Sequence, residues 1–103
     1  MEYLFDSEGK HIANFINEQL YAPTGQNVGH FIKTQGIFVN LSGNYLGEIV
    51  QGDRLMYNNS SPHKNTNYGS YEDCGNARNY GDPGNYGNKG ILKGYEDIVT
   101  PWL

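Results

Sequence analysis

At 103 residues the chain has room for one small domain, only 37% of it is apolar, and 9 of the apolar residues are tyrosines. The formal charge is −4, with the basic residues Lys10, Lys33, Arg54, Lys64, Arg78, Lys89 and Lys93 spread along the whole chain. These figures exclude a helical bundle, a coiled coil, a membrane span, a large enzyme domain and the basic patch of a nucleic-acid binder, and they leave a small, turn-rich, all-β protein.

The first element sets a pattern that recurs. Leu4-Phe5-Asp6 leads into a turn at Ser7-Glu8-Gly9, and then Gly9-Lys10-His11-Ile12-Ala13-Asn14-Phe15-Ile16 reads as glycine, two residues, an aliphatic, a small residue, a polar residue and two apolar ones. Gly25-Gln26-Asn27-Val28-Gly29-His30-Phe31-Ile32 and Gly43-Asn44-Tyr45-Leu46-Gly47-Glu48-Ile49-Val50 repeat it. The flanks align too: Phe38-Val39-Asn40 matches Leu4-Phe5-Asp6, and Leu55-Met56 matches Leu20-Tyr21. A repeat of this kind decides the fold.

His11 to Leu20 alone could form an amphipathic helix. Its two relatives carry Gly29 and Gly47 in mid-segment and are rich in Val, Ile and Phe, which favours strands. Strands are predicted at 3–6, 10–17, 19–22, 28–33, 36–40, 44–50 and 53–57, joined as antiparallel hairpins by short turns. The small fifth residue of each repeat (Ala13, Gly29, Gly47) fits hairpins that crowd around an axis.

The composition changes near Tyr57. Residues 1–57 are the repeat-bearing core, while 58–103 hold a loop, a Gly/Asn/Tyr-rich segment and an apolar tail (Ile98 to Leu103), packed on the same single domain. Glycines at 69, 75, 81, 84, 87 and 90 are all spaced by multiples of three. That period suits a polyproline II strand leaning on the β domain, or a disordered Gly/Tyr tail.

Chemistry is thinly written. Asn14, His30 and Glu48 share the sixth repeat position, which on a regular strand faces the same way as the aliphatic fourth and eighth. If that face points inward, the three converge near the axis and are the candidate ligand-binding residues. His11, His30, His63 and Cys74 lack metal-ligand spacing, so neither a metal nor a cofactor is expected. No nucleophile elbow, phosphate loop or dinucleotide fingerprint occurs, and no catalytic residue is assigned. One cysteine and no signal-peptide pattern lead us to expect a cytoplasmic protein.

The three repeats, together with Arg54-Leu55-Met56 and the Gly81-Asp82-Pro83-Gly84-Asn85-Tyr86-Gly87 tract, resemble the β-flower family, the four-fold beta flower proteins. The resemblance implies a shallow barrel or cup whose hairpins splay like petals around a pseudo-fourfold axis, the fourth petal coming from the C-terminal half. The cup looks like lipid-binding barrels of the tubby type, a likeness between folds. The expected function is a non-enzymatic binding module for a small apolar ligand, a lipid head group or a peptide. The alternative is a structural or interaction protein that self-associates through its Tyr/Gly/Asn-rich segment, so a homo-oligomer stays open.

Overall fold

A computed structural model describes all 103 residues and contains no helix. The strands are β1 (Glu2–Phe5), β2 (His11–Ile16), β3 (Gln19–Tyr21), β4 (Asn27–Ile32), β5 (Ile37–Asn40), β6 (Tyr45–Val50), β7 (Arg54–Asn58) and β8 (Tyr95–Asp97). Each pairs antiparallel with the next in chain order, and β1 returns to β7 in parallel through Phe5 and Arg54, so seven strands close a barrel and β8 adds to β7. The Phe5 N–H donates to the Asp53 carbonyl at 2.9 Å across this seam. The seven strands expected from the repeat are all present. No helix is long and apolar enough to cross a membrane.

The hairpin turns are built alike. Gly9 donates its N–H to the Asp6 carbonyl (3.1 Å), Gly25 to Ala22 (2.9 Å), Gly43 to Asn40 (2.9 Å) and Ser61 to Asn58 (3.1 Å). The side-chain oxygens of Asp6, Asn40 and Asn58 also accept the N–H two residues on, from Glu8, Ser42 and Ser60. Asn58 therefore opens a fourth copy of the turn. The fourth hairpin is β7–β8, and its strands are separated in sequence by residues 59–94.

Those intervening residues encircle the barrel. The N–H groups of Tyr68, Ala77 and Tyr86, every ninth residue, donate to the carbonyls of Gly43, Gly25 and Gly9 at 2.9, 2.8 and 3.0 Å. The segment thus crosses the third, second and first turns in order and returns to the fourth, where Asn59 donates to the Gly94 carbonyl (2.9 Å). We call it the belt.

The period of three in the belt belongs to turns, not to a polyproline II helix. At glycines 69, 75, 81, 84, 87 and 90, φ lies between +73° and +86°, far from the −75° or so of polyproline II. Each of these glycines donates its N–H to the side-chain oxygen of the Asn or Asp two residues before it, at 2.6–2.8 Å. The unit is an Asx turn whose third residue must tolerate a left-handed backbone.

Inside the barrel, Leu4, Ala13, Leu20, Phe38 and Leu55 are fully buried; Phe15 and Phe31 pack against them, and the Phe15 ring meets Phe31 and Phe38 edge to face. A second layer lies between the outside of the sheet and the belt. There Ile37, Val39 and Tyr45 are covered by Tyr57, Tyr68 and Tyr71.

Candidate ligand-binding site

In three hairpins the ladder slips by one residue at the same place. Leu4 pairs with Ala13 and Phe5 with His11, so Ile12 is skipped. Val28 and Leu46 are skipped in the same way. These are β-bulges, and each inverts the alternation of the strand beyond it. Ala13, Gly29 and Gly47 consequently pair with the buried Leu4, Leu20 and Phe38 and face the core. At Gly29 and Gly47 a side chain is excluded first by the backbone of the next hairpin and then by that hairpin's aliphatic residue. A Cβ on Gly29 would stand 2.6 Å from the Val39 carbonyl oxygen and 3.2 Å from Leu46 Cδ1, and one on Gly47 would overlap the Met56 carbonyl oxygen and stand 2.9 Å from Ile98 Cγ2. Ile98 is thereby the fourth member of the set Ile12, Val28, Leu46.

Trp102 packs on this set and donates its indole Nε1–H to the Ile12 carbonyl at 2.8 Å. Beside it opens a cavity of about 330 Å3. Its apolar wall is Val28, Leu41, Leu46, Pro101 and the Trp102 ring, and its polar rim is Gln26, Asn27 and Asn40. Asn27 is fully buried and fixed, its Nδ2 donating to the Leu20 and Gly29 carbonyls at 3.0 and 3.2 Å.

The same bulges place Asn14, His30 and Glu48 away from that wall, and no hydrogen bond joins any two of them. Asn14 is buried, and its Oδ1 lies 2.7 Å from His11 Nε2. His30 bonds through Nδ1 to Gln19 Nε2 at 2.9 Å and stacks on Tyr71 of the belt with ring centroids 4.3 Å apart. Glu48 accepts hydrogen bonds from Tyr95 Oη (3.0 Å) and Asn58 Nδ2 (3.2 Å), tying the third hairpin to the fourth. The bond to Glu48, with some burial, holds the Tyr95 phenol above its ordinary pKa. Burial raises Tyr45 likewise, and its Oη accepts the Asn58 N–H at 3.1 Å.

The sequence marked Val28 and Leu46 only as apolar repeat positions and Trp102 only as part of a tail that docks. The residue pattern carries no mark of the bulges that bring these three together. No group of three or more His, Cys, Asp or Glu side chains is placed to hold a metal ion. No family model, curated protein or solved structure matches the chain.

Proposed function

We propose that this chain is a non-enzymatic binding module of the β-flower kind, whose ligand contact is the cavity between the second and third hairpins. The observation that carries the reading is the half-buried apolar wall of Val28, Leu46 and Trp102, edged by the amides of Gln26, Asn27 and Asn40. An apolar wall with a few fixed polar groups suits an apolar ligand of modest size, and about 330 Å3 falls at the small end of ordinary ligand sites. Four hairpins around one set of aliphatic residues support the family reading. Asn14, His30 and Glu48 act in this proposal as supports that hold hairpins and belt in register.

Trp102 is the one tryptophan in the chain, so its emission reports on this wall alone. Titration with the apolar fluorophore anilinonaphthalene sulfonate should quench Trp102 saturably at one site per chain. Leu46→Gln should weaken binding about tenfold, from the lost apolar contact, while His30→Ala should leave it within about twofold. Non-saturable quenching, or equal binding by Leu46→Gln, would sink the proposal. A concentration-dependent oligomer in that case would favour the interaction protein.

A further inference from the structure

The belt docks on the barrel in two spans of equal length, and the two are held differently between their ends. Between residues 68 and 77 it is held midway: the Tyr71 N–H donates to the Leu41 carbonyl (2.8 Å), and the Cys74 N–H donates to Asn27 Oδ1 (2.9 Å). Nine residues on, between 77 and 86, the residue matching Cys74 is Pro83, which has no N–H. The residue matching Asn27, two after the turn glycine, is His11.

His11 reproduces half of what Asn27 does. Asn27 Nδ2 donates to the Gly29 carbonyl, and His11 Nε2 lies 3.1 Å from the matching Ala13 carbonyl and 2.7 Å from Asn14 Oδ1. Two acceptors at Nε2 place the proton there and leave Nδ1 as the acceptor in the neutral ring. Nδ1 corresponds to the Asn27 oxygen that receives Cys74, and it has no protein partner.

The belt is tethered at Tyr80, whose carbonyl accepts the Tyr3 Oη–H at 2.6 Å, and no hydrogen bond joins residues 81–84 to the barrel. A cleft of about 600 Å3 opens between residues 79–85 and the first two hairpins. His11, Lys10, Thr24, Asn79, Asp82 and Asn85 line it, with Pro23 and Leu103 as its apolar residues. Lys10 makes no salt bridge, and neither does Asp82, whose Oδ1 accepts the Gly84 N–H at 2.8 Å.

We propose that this cleft is a second binding site, separate from the apolar cavity, and that it takes a short zwitterionic peptide. A ligand N–H replaces the missing belt N–H on His11 Nδ1. The ligand ammonium pairs with the Asp82 carboxylate and the ligand carboxylate with the Lys10 ammonium. The side chains of Thr24, Asn79 and Asn85 serve the peptide group between them.

The probe is glycylglycine, followed by amide chemical shifts of the full chain at tens of millimolar. Shifts should saturate at residues 10–11, 24 and 79–85, and Lys10→Ala and Asp82→Asn should each weaken binding about tenfold. Acetylating the peptide amine should cost about tenfold on the native chain and little on Asp82→Asn. The pair His11→Asn with Pro83→Ala restores the Asn27–Cys74 arrangement. It should close the cleft, protect the new residue-83 amide from exchange and abolish binding. Absence of saturating shifts overturns the proposal. So does binding that ignores Lys10→Ala and Asp82→Asn, or binding that survives in a His11→Asn/Pro83→Ala chain whose residue-83 amide is protected.

Discussion

Arg54 is the residue that joins belt to barrel. Its side chain is 1% exposed, its guanidinium lies over the Phe5 ring, and Phe5 stacks in turn on Tyr86 of the belt. Nη1 donates to the carbonyls of Gly87 (2.6 Å) and Asp6 (3.2 Å), Nη2 to Tyr86 (3.1 Å), and Nε to Asp53 (2.8 Å). Three main-chain oxygens from two segments and one carboxylate oxygen thus converge on one planar donor, a role lysine could not fill. Arg54→Met keeps the stem and leaves those oxygens unpaired, so urea unfolding should show a loss of about 3 kcal/mol. Asp53 adds a pH dependence. Burial works against its charge, but hydrogen bonds from Arg54 and Lys89 outweigh that and hold its carboxyl below the usual value. A carboxyl lowered on folding contributes stability that is complete above its unfolded pKa, about 4, and fades as pH falls through the folded one. Stability should therefore fall below about pH 4, and Asp53→Asn should flatten that part of the profile.

At the level of elements, the glycines of the turns are where the belt sits. Gly43 has φ +85°, and a Cβ there would overlap the Gly69 backbone. Gly43→Ala should cost about 1–3 kcal/mol. Its signature is regional: the Tyr68 and Tyr71 amides should exchange faster while those of β4 to β7 keep their protection. Uniform loss across the barrel would contradict this. The repeat made the seven barrel strands legible, because its glycines and β-branched residues mark turns and strands directly. It made the belt's period legible too, though not its conformation, since Asn-Tyr-Gly spacing is the same for an Asx turn and an extended helix. The faces of Asn14, His30 and Glu48 were not legible. A bulge changes which way a side chain points without changing composition, so strict alternation assigned them to the face of Ile12, Val28 and Leu46. β8 was hidden for a different reason: Tyr95-Glu96-Asp97 is short and polar, and its partner β7 lies far back in the chain.

In the whole molecule the belt is one long hairpin connection that makes a circuit before β8 can pair. Its two ends are fastened, and Asp97 locks the return by accepting the Ser7 N–H and Oγ–H, both at 2.8 Å. A break in the belt should then leave the body intact. The chain has two arginines, Arg54 buried and Arg78 exposed on the belt, so an arginine-specific protease should cut once, after Arg78. The pieces 1–78 and 79–103 should stay together in native mass spectrometry and separate only in denaturant. Fragments that part without denaturant would show that the circuit holds by continuity alone. The same arrangement fixes an order of assembly. Three members of the aliphatic set, Ile12, Val28 and Leu46, lie within the first half of the chain and meet through hairpins that close over a few residues. The fourth, Ile98, cannot arrive until the segment before it has travelled around the rim, and Trp102 follows it. Closing a loop of that size costs more entropy than closing a tight turn. The first three hairpins are therefore the natural nucleus, and the last contacts made are those that complete the apolar wall. A slow final step in refolding, seen in Trp102 emission after the β-sheet signal has settled, is the kinetic mark of a barrel sealed by its own wrapping.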